Sequence, residues 1–309
     1  MVFYRIHNNK LSFAGDVKRV GFDKTNAMYI PDDYLEDGEF IVMRTCHGIG
    51  DWCIISALPR LLKEKYPNCK VYVPSSKMLK SIFGDMMKTW GYGVYDSSNV
   101  SYDVFQNNPY VDKFIDESTD EIFHDHYRIY DVKNSEIPLV TQMLRFWQFK
   151  DSELLDTTPD IYFSEEEQHY GKLFINELSE YGYVGVSSTY GNTADTQLLV
   201  DKIKEYGDMT WMYYGENPIE ETNLSFIKNV INIKPKRLSL RQQMYLRYNA
   251  RVNVGNESGT TLWCSKYSDT YVLGNKNYGP LHGKHLDGKP RKDPFKSGNF
   301  VERINYMNK

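Results

Sequence analysis

The sequence predicts an α/β chain of two Rossmann-like parallel-sheet domains, and three observations carry that expectation. Strand-like apolar runs alternate with helix-like ones from Phe40 onward. Two glycine-rich turns, Gly48-Ile49-Gly50-Asp51-Trp52 and Gly255-Asn256-Glu257-Ser258-Gly259, each follow a strand pattern and open a helix pattern. The length of 309 residues suffices for two domains of about 150 residues, each with its own core. A polar, acidic stretch at 151–160 reads as the linker, so the expected domains are 1–155 and 156–309.

In the first domain, strand 40–43 leads through the first turn into a helix with Ile54, Ile55, Leu58, Leu61 and Leu62 on one face. Pro59 falls inside that pattern, where it removes a hydrogen bond and clashes with the preceding turn, so the helix either starts late or kinks there. Residues 70–73 read as a strand stopped by Pro74, and 77–90 as the next helix. Asn107-Asn108-Pro109-Tyr110-Val111-Asp112 is a turn before the short strand 113–115, and 136–149 carries Ile137, Val140, Leu144 and Trp147 at helical spacing. The second domain reads as helix 165–181, strand 183–186, polar loop 187–193, helix 194–206 and strand 210–214. Helix 220–227, strand 230–233, helix 239–248, strand 251–254, the second glycine turn and strand 270–273 follow. Such alternation implies parallel sheets with right-handed crossovers and ligand crevices beyond the strand carboxyl ends, so the two turns are expected to face one cleft. Beyond residue 280 the chain is polar and basic, and no element is legible there.

Composition narrows the class. Hydrophobic residues at 41% and charged residues at 25% are ordinary for a globular chain. A net charge of −4 gives no global footprint for nucleic acid, although the lysine-rich 284–296 leaves a local patch open. No apolar run approaches the roughly 18–20 residues of a membrane span, and residues 1–10 lack the apolar core of a signal peptide. The cytoplasm is the expected compartment. The four cysteines, Cys46, Cys53, Cys69 and Cys264, show no C-x-x-C spacing and read as buried free thiols. His124-Asp125-His126 pairs two histidines without evident further ligands, so no metal site is expected.

Four blocks taken in order resemble a known family. They are Gly48-Ile49-Gly50-Asp51 with the later Lys65-Tyr66-Pro67, and Asn108-Pro109-Tyr110-Val111-Asp112. The third runs from Ile233-Lys234-Pro235 through Leu238-Ser239-Leu240 to Val254-Gly255-Asn256-Glu257-Ser258-Gly259, and the fourth is Val272-Leu273-Gly274 with Tyr278-Gly279-Pro280. Together they are similar to the heptosyltransferase-like glycosyltransferases of the GT-B fold, grouped as glycosyltransferase family 9. The resemblance implies two Rossmann-like domains facing a cleft and inverting transfer of a sugar from a nucleotide diphosphate (NDP) sugar to an acceptor hydroxyl, with no cofactor or required metal. It implies a glycan or lipid-linked glycan as acceptor, while a protein or a modified nucleobase would suit the same fold. This chain departs from the pattern in three places. The loop 187–193 lacks the family's phosphate-contacting lysine, Glu257 replaces an aspartate, and Leu262 stands where a histidine closes the motif. The donor is thereby left open beyond an NDP-sugar, and a catalytically silent nucleotide- or glycan-binding protein is the alternative.

The chemistry needs a base to take the acceptor proton and positive potential to hold the leaving diphosphate. Asp51, at the mouth of the first turn, is the expected base, and an N-cap role is open beside it. His47, Gly48, Gly50 and Trp52 are expected on the acceptor side. Backbone amides of Ser258, Gly259, Thr260 and Thr261 sit where a helix start stabilises an anion, and glycine permits close approach; an ordinary turn is the alternative. Glu257 suits a sugar hydroxyl better than a phosphate. The resemblance adds Glu220, with Glu216 as alternative, near the donor ribose, and Thr189 and Asn192 in the donor loop. Lys276 or Arg44 is the candidate for the missing cation, and His282 and His285 sit in the basic tail.

Overall fold

The computed structural model describes residues 4–7, 10–13, 38–42, 49–81, 100–117, 122–124, 159–175, 178, 180–185, 196–214, 229–233, 237–256, 259–264, 267–273 and 304–307. The chain divides into two compact units, Met1–Tyr162 with Pro294–Lys296, and Phe163–Asp293 with Ser297–Lys309. The expected helices 136–149 and 220–227, and most of the expected linker, lie outside the described residues. Among the described residues no helix is long and apolar enough to cross a membrane.

In the first unit, β1 (Tyr4–His7) and β2 (Lys10–Phe13) form an antiparallel pair. The parallel sheet is built from β3 (Glu39–Ile41), β4 (Lys70–Pro74) and β5 (Lys113–Ile115), in the order β3-β4-β5. A further strand, β6 (Ile122–His124), pairs antiparallel with β1, so His124 serves a sheet. Phe40, Ile41, Val71 and Val73 are buried in the core.

Pro59 decides the form of the first crossover. Helix α1 (Ile49–Ile54) stops, residues 55–57 turn, and α2 (Leu58–Lys65) restarts with the proline in its first turn, where a missing N–H is harmless. Within the break, the Ser56 hydroxyl donates to the Cys53 carbonyl at 2.8 Å and accepts the Asp160 amide at 2.9 Å. Arg60 pairs with the buried Asp160 carboxylate at 2.7 Å, holding the segment 159–162 against the break.

The Asn-Pro-Tyr-Val-Asp block is a clamp. Asn107 is left-handed at φ 62°, and the Asn108 side-chain oxygen accepts the Tyr110 amide at 2.9 Å, closing a turn after α3 (Val100–Phe105). Asp112 then accepts the Val71 amide and the Lys63 ammonium, each at 2.7 Å, tying β5 to β4 and α2. Burial pushes the Asp112 carboxyl up, but Lys63 and the Val71 amide outweigh it and hold it below the usual carboxylate range.

The second unit carries six parallel strands: β7 (Tyr181–Gly185), β8 (Thr210–Tyr214), β9 (Val230–Asn232), β10 (Val252–Asn256), β11 (Asp269–Leu273) and β12 (Ile304–Met307). Their order is β9-β8-β7-β10-β11-β12. Numbered within the unit this is 3-2-1-4-5-6, the doubly wound Rossmann arrangement. Helices α4 (Glu165–Ile175), α5 (Thr196–Glu205), α6 (Leu240–Asn249) and α7 (Gly259–Trp263) complete it. Val184, Trp211, Tyr213, Val252 and Val254 fill one side of the sheet, and Tyr181, Tyr183, Met212 and Leu246 fill the other. Ser239, expected as the first helical residue, instead caps α6 through a capping box with Gln242.

A second capping box, Ser164 with Glu167, is shared with an ion pair. The Glu167 carboxylate accepts the Ser164 amide at 2.8 Å and receives Arg241 of α6 through two bonds of 2.8 Å each. Burial pushes the Glu167 carboxyl up, but Arg241 and Ser164 outweigh it and lower it below its ordinary value. A lowered folded value means that the pair's contribution is complete above the unfolded value and fades as pH falls through the folded one. At pH 7, Glu167→Gln is therefore expected to lose about 1.5–3 kcal/mol in urea unfolding. The gap to wild type should begin to narrow below about pH 4.3 and close as pH falls through the lower folded value; a gap constant from pH 7 to pH 3 would show that the charge is not what matters.

Candidate functional site

The carboxyl edge of the second sheet is where topology makes a crevice. The chain goes from β7 to β8 and from β10 to β11, in opposite directions across the sheet, which makes this pair the switch point at which doubly wound sheets bind ligands. Both strands reach this edge in glycine. Gly185 and Gly255 are register partners, and a Cβ on Gly255 would overlap the Gly185 carbonyl oxygen. That Cβ would also lie 3.1 Å from the Thr261 hydroxyl. The second glycine turn of the sequence thus arises at the switch point of the fold.

Arg247, which the sequence reading did not single out, reaches the same edge. It lies in the last turn of α6, where the Asn253 side-chain amide donates to its carbonyl at 2.8 Å. A helical side chain points toward the helix N-terminus. Here it climbs the sheet face, its guanidinium carbon 4.3 Å from the centre of the Tyr183 ring, and donates to the Thr261 hydroxyl at 3.3 Å. A Cβ on Gly185 would strike the guanidinium. Arg247 is 6% exposed, and no ion pair joins it to a carboxylate among the described residues. The neighbouring Tyr183 hydroxyl is buried and has no hydrogen-bond partner among them. Burial pushes the Tyr183 phenol up, with the Arg247 charge working against it.

One signal in the sequence could have found this residue. Arg247 falls three positions after the buried Met244 and three before the buried Ala250, on the apolar stripe of its helix. A charge on such a stripe is uncommon unless something neutralises it.

The predicted donor residues are partly brought together. Gly259, Thr260 and Thr261 form the start of α7, directly after β10; Thr260 is half-buried and Thr261 fully buried. Glu257, Ser258, Glu220, Glu216, Thr189, Asn192, Lys276, His282 and His285 lie outside the described residues. In the first unit, Gly50, Asp51 and Trp52 lie in α1, while His47, Gly48 and Arg44 lie outside the described residues. Asp51 is the third residue of its helix, past the capping position and inside the first turn. Trp52, expected on the acceptor side, is fully buried and packs edge-on against Phe105 at 6.3 Å, because a helix that covers a sheet turns its apolar face inward. Cys53, Cys69 and Cys264 are buried free thiols, and no cluster of three metal-ligating side chains occurs among the described residues.

A second concavity lies between α4 and α6. It has a volume of about 350 Å³ and is lined by Tyr170, Phe174, Leu238 and Tyr245; of its three charged residues Glu167 and Arg241 pair with each other, and Glu166 is exposed.

Comparison with solved structures agrees with the topology. The structure is similar to that of a glycosyl transferase family 9 protein from Veillonella parvula, with a TM-score of 0.59 and 12% identity over 91% of this chain and 88% of that one. It is also similar to ADP-heptose LPS heptosyltransferase II from E. coli, with a TM-score of 0.51 and 11% identity over 87% of this chain and 90% of that one. The fold is that of the GT-B glycosyltransferases. No protein-family model and no curated protein matches the sequence. Within the GT-B fold, the second unit supplies a complete Rossmann sheet with its switch point between β7 and β10.

Proposed function

We propose that the protein is a glycosyltransferase that moves a sugar from an NDP-sugar to an acceptor hydroxyl, with inversion. One observation carries the reading: β7 and β10, with Gly185 and Gly255 as register partners, form the Rossmann switch point of a GT-B fold, where a nucleotide diphosphate is held in such sheets. The second unit would hold the donor, its phosphates over the Gly255 turn with Gly259, Thr260 and Thr261 beneath, and Glu257, Ser258, Glu220, Thr189 and Asn192 around it. Asp51 would take the acceptor proton, within the α1 turn that also contains Gly50 and follows His47 and Gly48. Proton transfer lets the acceptor oxygen attack as the diphosphate departs from the opposite face of the sugar. A glycan or lipid-linked glycan in the cytoplasm is the favoured acceptor, because the likeness is to a heptosyltransferase named for LPS.

Sugar release from a panel of NDP-sugars by the purified protein tests this reading. Turnover of one donor is expected; nucleotide binding without release from any of them would favour the silent binding protein, a reading motivated by the absent lysine in 187–193. Turnover is also expected to survive EDTA, because charge on the leaving diphosphate would be met by fixed donors and a protein cation. Loss in EDTA with recovery on adding a divalent ion would contradict that.

A further inference from the structure

Resting on the donor reading above, we infer that Arg247 is the cation that binds the donor diphosphate, in place of the lysine that loop 187–193 lacks. Arg247 ends at Gly185, the last residue of β7, immediately before that loop begins. Its charge therefore arrives at the root of the loop from beneath the sheet edge.

Three features of its surroundings point to an oxyanion. A guanidinium carries five N–H donors, and among the described residues these meet only neutral oxygens, the Thr261 hydroxyl at 3.3 Å and the Tyr183 phenol beside it. The charge is nonetheless buried, which is unfavourable unless an anion joins it. Beside it, the buried Tyr183 hydroxyl has a proton to donate and no acceptor for it among the described residues. The lack of a side chain at Gly185 is what lets the guanidinium reach the strand end, since a Cβ there would strike it. A planar fork at this position suits two oxygens of a phosphate better than an ammonium does.

A purely structural Arg247 makes the opposite forecast for stability. If it serves only to stack on Tyr183 and bond Thr261, its removal should loosen the core. If it awaits an anion, replacement by an apolar chain of similar length removes an uncompensated buried charge, and the ligand-free protein should melt no lower than wild type.

The test uses the full chain, wild type and the variants Arg247→Met and Arg247→Lys, titrated calorimetrically with ADP, UDP, GDP and inorganic pyrophosphate. Wild type is expected to bind at least one of the four. Arg247→Met should bind that probe about 10- to 100-fold more weakly, with an unchanged or raised ligand-free melting temperature, and Arg247→Lys should fall between. Undiminished binding by Arg247→Met would overturn the assignment, as would a melting temperature well below wild type or failure to fold, which would make Arg247 a structural residue. A wild type that binds none of the four probes would overturn the donor reading itself, whatever the variants do.

Discussion

Asp51→Asn is expected to hold a nucleotide sugar as wild type does and to transfer it about 10²–10⁴-fold more slowly. The amide keeps the size of the carboxylate but cannot take a proton at neutral pH. Asp51 stands in the first turn of α1, where a carboxylate also benefits from the helix dipole, and that benefit is limited to about 0.3–1 kcal/mol. The two roles therefore separate in one experiment. Single-turnover kinetics and a melting curve on the same sample should give a large kinetic loss with little change in stability. Near-normal turnover with a lowered melting temperature would assign Asp51 to the helix start and leave the base elsewhere.

Gly255→Ala is expected to be the most damaging small substitution at the crevice. Its Cβ meets the Gly185 carbonyl oxygen, which is backbone and cannot rotate away, so β7 and β10 would have to part at their carboxyl ends. Overpacking of this kind is unfavourable by about 1–3 kcal/mol, and here it strikes the two central strands of the sheet. Urea unfolding should show that loss together with weakened NDP binding. Wild-type stability in Gly255→Ala would mean that the two strands are not held as close as their register implies.

Much of the second unit was legible because its strands are buried on both faces and read as short apolar runs between helical patterns. Thr210–Tyr214 has the predicted bounds, and the start of α6 follows from Ser239 and Gln242. In the first unit Lys113–Ile115 also matches, and Pro59 announced the break between α1 and α2. Other elements escaped. β1 and β2 are four residues each, too short for alternation to stand out, although Asn8-Asn9 between them is a hairpin signal. β12 lies in the polar, basic end of the chain, and what defines it as a strand is parallel pairing with β11, a long-range contact that local pattern does not report. The burial of Trp52 was not legible, because adjacency to a turn says nothing about which way a helical side chain faces. Arg247 was missed for the converse reason: a lone arginine in a helix ordinarily faces water, and only the burial of its helix against Tyr183 turns the charge inward.

The edge formed by β7 and β10 is proposed above to hold a nucleotide diphosphate. A crystal structure of the full chain with the tightest-binding nucleotide diphosphate tests it directly. Phosphate oxygens are expected within hydrogen-bonding distance of the backbone at Gly255–Thr261 and of the Arg247 guanidinium. A nucleotide bound in the first unit, or in the groove between α4 and α6, would contradict it.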